Sequence, residues 1–175
     1  GPTFLLFAIP AGLIGAKLGR RKTILTGLSV MILTMASMFF IPKEILLHTY
    51  TSLPLLGDFM NVTIILMIAG IGWAMININS LPMVVDLTTK DHVGTYTGLY
   101  YFFSTLSAII GPLLNGFVVK QSGGDYGKIM LVGPIFMAFA FICILFVKRG
   151  ESNVNADKHS SHEIEQDYEG IDAIL

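Results

Sequence analysis

The sequence is poor in charge. Asp, Glu, Lys and Arg make up 13% of its 175 residues, about half the share usual in a soluble domain. Hydrophobic residues make up 53%, and the mean hydropathy is +0.70. A water-soluble fold of this size leaves a large fraction of its surface in water and could not hide so much apolar side chain. A soluble globular domain is thereby excluded, and lipid is the solvent for most of the chain. Cysteine is scarcer still. Cys143 stands alone, so no intrachain disulfide can form and the redox compartment goes unread. The net charge of −1 offers nothing to a nucleic acid. No nucleophile–base arrangement, metal-ligand cluster or phosphate-cradling loop stands out in the apolar runs, so neither an enzyme nor a bound cofactor is expected. An initiator Met and a basic leader are lacking as well. The expectation is the C-terminal piece of a longer protein whose N-terminal half is missing.

What is abundant is long apolar sequence. A bilayer core about 30 Å thick needs roughly 20 mostly apolar residues in a helix. Five segments approach or meet that: 2–16, 23–41, 61–85, 95–119 and 129–147. The first begins within an apolar run, and Pro42 closes the second. Apolar residues cover all faces of the second and fifth, as expected of helices that largely face lipid. The third and fourth carry Asn, Ser, Tyr and Gly through their middles and should face protein or water. Gly and Pro within the spans are tolerated in a membrane, where neighbouring helices satisfy the freed backbone groups. Gly111-Pro112 is expected to bend the fourth span. Residues 1–149 thus form a helical bundle, and 150–175, polar and acidic, form a disordered cytoplasmic tail. His159, His162 and Glu163 in that tail have a metal-like spacing but no rigid support.

The basic residues alternate between the connections. Lys17, Arg20, Arg21 and Lys22 fill the expected loop 17–22, Lys90 the third loop, and Lys148 and Arg149 start the tail. The other side has only Lys43, Lys120 and Lys128. Basic residues collect on the cytoplasmic side, so the first set is cytoplasmic and the C-terminus is inside.

The stretch Gly12-Leu13-Ile14-Gly15-Ala16-Lys17-Leu18-Gly19-Arg20-Arg21-Lys22 resembles the cytoplasmic loop motif G-x-x-x-D-R/K-x-G-R-R/K of the major facilitator superfamily. That motif lies between the second and third helices and again, often degraded, between the eighth and ninth. Gly12, Lys17, Gly19, Arg20 and Arg21 match it, and Ala16 stands where the acidic residue usually sits. The three spans that follow suit the second copy. Residues 70–112, "GIGWAMININ…IIGP" in outline, look like helices ten and eleven of sugar transporters, specifically the sucrose-transporter and glycoside–pentoside–hexuronide cation symporter groups. The resemblance implies an all-α integral membrane protein, part of a major facilitator bundle, with five transmembrane helices equivalent to eight to twelve. It implies alternating-access transport of a sugar or glycoside, coupled to H⁺ or Na⁺, across the plasma membrane. Since no acidic residue lies deep in these spans, the coupling ion rests on the resemblance alone. A transporter of another small solute, drug or organic anion, and a non-transporting membrane subunit are the alternatives.

Two polar stripes are candidates for the solute cavity. Trp73, Asn77 and Ser80 fall at i, i+4 and i+7 on one helical face. Tyr100, Ser104, Ser107, Gly111 and Asn115 form a second. Amides and hydroxyls bind sugar OH groups, and an aromatic face takes the apolar side of the ring. The same residue types also join helices by hydrogen bonds. For Asn77 both readings stand, and Asn79, on another face, is expected to join helices. In the resembled family the tenth helix lines the central cavity and the eleventh flanks it, which favours Trp73, Asn77, Ser80 and Tyr100. Asp86, at the cytoplasmic end of the third span, is expected to pair with Arg20 or Arg21 as a gating contact. The sequon Asn61-Val62-Thr63 abuts the membrane and reads as chance.

Overall fold

The computed structural model describes residues 2–53 and 57–147; the tail expected over 150–175 lies outside them. Five long helices alternate in direction: α1 (Pro2–Leu18), α2 (Arg20–Phe40), α4 (Asn61–Asp86), α5 (Val93–Gln121) and α6 (Ile129–Phe146). A one-turn helix, α3 (Lys43–Leu46), and a two-stranded hairpin, β1 (Thr49–Leu53) with β2 (Gly57–Met60), join α2 to α4. Four of the helices are long and apolar enough to cross a membrane. The 17 residues of α1 reach about 25 Å at 1.5 Å per residue.

The connections differ from the sequence-based expectation at two places. The expected loop over 17–22 shrinks to one residue, Gly19, at φ 99° and ψ 131°. Only glycine takes such a conformation cheaply, and it reverses the chain in a single step. The basic cluster therefore sits on two helix ends instead of in a loop. The expected plain loop over 42–60 contains the hairpin, with Thr51 opposite Phe59 and Leu53 opposite Gly57. At the start of α4 the sequon's Asn61 is engaged: its Oδ1 accepts from the Tyr50 hydroxyl at 2.9 Å and its Nδ2 donates to Ile45 O at 2.6 Å. α2 stops at Phe40 because Ile41 precedes Pro42, and the residue before proline is pushed to extended geometry (φ −81°, ψ 128°). The helix α5 continues through Gly111-Pro112.

Packing reverses the expected role of one span. The second, expected to face lipid, is the centre of the bundle: α4 and α6 flank α2, and Thr23, Ile24, Gly27, Leu28, Met31 and Thr34 are buried along it. Small residues decide this. Gly27 and Gly72 face each other so closely that a Cβ on Gly27 would lie 2.8 Å from the Gly72 carbonyl oxygen. In a membrane, where lipid is as apolar as leucine, close backbone approach drives helix association. The buried hydroxyls cost little, because Thr23 donates to Gly19 O at 3.0 Å and Thr34 to Val30 O at 2.8 Å within their own helix. On the far side Ile24, Leu28 and Met83 form a core covered by Met137, Ala140, Phe141 and Ile144. By contrast, no residue of α5 is buried, although that helix carries one of the polar stripes.

Candidate functional site

Helix α4 has two working faces. Its inner face meets α1 and α2 through Gly70, Gly72 and Asn79. Its other face carries Trp73, Asn77 and Ser80, which with Tyr96, Tyr100 and Ser104 of α5 line an open pocket of about 470 Å³. Trp73 is 46% exposed, so its ring is available to a solute. Asn77 Nδ2 donates to Trp73 O at 3.0 Å, leaving its second N–H and its Oδ1 for another partner. Ser80 Oγ bonds Ile76 O at 2.5 Å, and its oxygen can still accept. No residue lining this pocket carries a charge. The arrangement can hold a polyol: an indole and two phenol rings for an apolar ring face, with amide and hydroxyl groups for the OH groups around it.

Of the six cavity candidates, five come together here. Asn115 does not. It lies in a second, more apolar cavity of about 630 Å³ between α5 and α6, with Gly111, Gly133 and Met137. Ser107 lines both. Asn79 is fully buried, donating to Ala11 O at 3.1 Å and Met75 O at 2.9 Å; it joins α1 to α4. Gly15 makes room for it, since a Cβ there would fall on the Asn79 amide. Gly12, the first glycine of the loop motif, likewise packs against Ile78.

The basic cluster is split by its partners. Arg20 Nε donates to Asp86 Oδ2 at 2.6 Å, with the two side chains 20% and 25% exposed. Arg21 turns the other way, donating from Nη2 to Leu145 O at 2.7 Å and from Nε to Ile144 O at 3.2 Å. It thus occupies the last carbonyls of α6, a favourable end for a cation. Lys17 and Lys22 stay exposed. The contact of Arg20 with Asp86 lies within one group of packed helices, binding the start of α2 to the end of α4. Nothing in sequence pattern announces the Arg21 contact, because its acceptors are backbone oxygens 123 and 124 residues away.

A family model described as the Major Facilitator Superfamily matches residues 3–167. A curated hexuronate transporter of Bacillus subtilis (strain 168) is 29% identical over 89 residues, a match covering 51% of this chain and 19% of that protein. The matched part is thus about a fifth of the relative's length. No solved structure matches the chain significantly.

Proposed function

The chain belongs to the major facilitator superfamily, and from that premise we propose that it is helices eight to twelve of a secondary transporter for a sugar or glycoside. The protein would sit in the plasma membrane with its C-terminus in the cytoplasm. This five-helix group rocks against the helices that precede it, exposing a midplane site to each side in turn. One observation carries the solute reading: Trp73, Asn77 and Ser80 face Tyr96, Tyr100 and Ser104 across an uncharged pocket. The hexuronate transporter similarity supports the same solute class. A cationic drug would call for a carboxylate, and the pocket lining supplies none; an anionic solute, a hexuronate included, would need its cation from the preceding helices. A non-transporting subunit would have no use for a polar, aromatic-lined pocket within the bilayer.

The mechanism follows from the residues. The Trp73 ring stacks on the apolar face of the sugar, and the Asn77 amide and the tyrosine and serine hydroxyls replace water around its OH groups. The pairing of Arg20 with Asp86 holds α2 and α4 together, so the group moves as a rigid unit. Gating is then indirect, through the stiffness of the group. Coupling to H⁺ or Na⁺ requires a titratable or ion-binding group, which is placed in the preceding helices.

The test is uptake of labelled mono- and disaccharides by the full-length protein, with the ion gradient intact and dissipated. Trp73→Ala is expected to raise KM about tenfold, the equivalent of about 1.4 kcal/mol, with the melting temperature unchanged because the ring is half exposed. Absence of saccharide uptake, or an unaltered KM in Trp73→Ala, would overturn the reading.

A further inference from the structure

One corner of the bundle carries positive charge that its neighbours leave unanswered. Lys17 lies in the last turn of α1, and across Gly19 the residues Arg20, Arg21 and Lys22 open α2. Arg20 is taken by Asp86, and Arg21 by the last carbonyls of α6. Lys17 and Lys22 are exposed and pair with no carboxylate among the described residues. The first turn of α2 has no acidic residue, and Ala16 holds the place where the loop motif has its acid. Asp91, in the short turn Lys90–His92 after α4, has Lys90 next to it. Lys148 and Arg149 follow the end of α6 and add to the same sign.

The opposite charge lies in the same chain, in a segment that starts at this corner. Residues 150–175 hold seven of the sequence's 12 acidic residues and one lysine. Glu163, Glu165, Asp167 and Glu169 stand at every second position, the spacing that puts side chains on one side of an extended chain. Such a run of like charge in a terminal segment is the mark of an interaction tail. The bundle fixes where the tail begins. Arg21 Nη2 donates to Leu145 O at 2.7 Å, so Val147 leaves α6 next to the start of α2. Residues 148–162 can span up to about 50 Å when extended, so the acidic run can return to Lys22 and Lys17 without strain.

We propose that the corner formed by Lys17 and Lys22 is a docking surface for the chain's own acidic segment, residues 163–172. Single exposed ion pairs are weak. A short tether, however, supplies an effective concentration of millimolar order, and several carboxylates face the same small patch. Docked there, the segment brings carboxylates to a turn where Ala16 offers none. It also adds to Arg21 a second tie between the end of α6 and the start of α2. The contact is electrostatic and yields to salt, and an anionic headgroup would compete for the same two lysines.

The experiment is disulfide trapping in the full-length protein carrying Cys143→Ser. Ala16→Cys, exposed beside Lys17, is paired with Gln166→Cys in the acidic segment. Lys120→Cys, exposed at the opposite end of the bundle, is the control. A cross-link within one copy is expected from Ala16→Cys and none from Lys120→Cys. The segment is then neutralised with Glu163→Gln, Glu165→Gln, Asp167→Asn and Glu169→Gln. Trapping should slow at least about tenfold, since a field of one sign raises the local concentration of the opposite charge by about 10–10³. Salt near 1 M, which screens charges beyond about 3 Å, should do the same to the unaltered segment. Equal rates for the charged and neutral segments would mean that the tether alone brings the tail there, and would overturn the proposal. So would cross-links only between two copies. Trapping in phosphatidylcholine vesicles that is lost in phosphatidylglycerol vesicles would assign the corner to lipid headgroups and overturn it too. A second readout needs no cysteine. Carbodiimide coupling of the unaltered protein is expected to join Lys17 or Lys22 to carboxylates of 163–172, mapped by mass spectrometry, and their absence would refute the docking.

Discussion

Exchanging Arg20 and Asp86 is the sharpest perturbation the structure offers. Arg20 opens α2 and so sits at the positive end of that helix's dipole; Asp86 closes α4 and sits at the negative end of its own. Each charge alone is misplaced by about 0.3–1 kcal/mol, and the 2.6 Å contact offsets both. Two charges about 4 Å apart at an effective dielectric near 20 attract by about 4 kcal/mol. Partial burial of both side chains consumes most of that. With one hydrogen bond in place of a bidentate pair, and side chains 20% and 25% exposed, the net coupling falls at about 1–2 kcal/mol. That is above the 0.2–1 kcal/mol usual for exposed pairs and below the roughly 3–5 kcal/mol cost of breaking a fully buried one. The assay is a double-mutant cycle by thermal or denaturant unfolding in detergent, with Arg20→Met, Asp86→Asn and the double variant. Each single change should cost about as much as the pair together. The exchanged protein, Arg20→Asp with Asp86→Arg, should match or exceed the starting stability, because each charge then stands at the favourable end of its helix. Additivity of the single changes within about 0.5 kcal/mol, or an exchanged protein no better than either single variant, would refute the reasoning.

Arg21→Met removes two charge-assisted hydrogen bonds from the end of α6 and should cost about 1–3 kcal/mol, measured by the same unfolding assay. Arg21→Lys should recover only part of this, since an ammonium cannot reproduce the planar fork. Gly15→Ala puts a methyl group on the Asn79 amide and should destabilise by about 1–3 kcal/mol. Adding Asn79→Ala should relieve much of that, whereas Gly98→Ala, with open space at its Cβ, should be close to neutral.

The positions of the five helices were legible in the sequence because hydropathy and length act locally: about 20 apolar residues with their backbone groups bonded to one another are the simplest way to cross hydrocarbon. The fourth span runs within two residues of its expected limits at each end. Trp73, Asn77 and Ser80 were legible as one face because helical spacing alone puts them together, and Asp86 could be matched to the basic cluster through the side of the membrane they share. The loop over 17–22 was misread because a single left-handed glycine can do the work of a loop, and the hairpin over 49–60 because short polar strands leave no mark in hydropathy. Asn115 was grouped with Tyr100 and Ser104 because helical spacing places it on their stripe. A helix of 29 residues passes more than one neighbour along its length, so the far end of that stripe faces α6.

By itself, then, the sequence determined what kind of solvent the chain needs, where its long apolar helices run, which end collects the positive charge and which residues share a helical face. These follow from composition and from the fixed period of the helix. Only the tertiary structure decided which span is central. Apolar residues cover all faces of both the second and the fifth, yet the second is buried because Gly27 meets Gly72 and lets two backbones touch. The tertiary structure also sent Arg20 to a carboxylate and its neighbour Arg21 to the end of another helix. Such choices depend on which small residues come face to face across helices, a relation between positions far apart in the chain that no local pattern encodes.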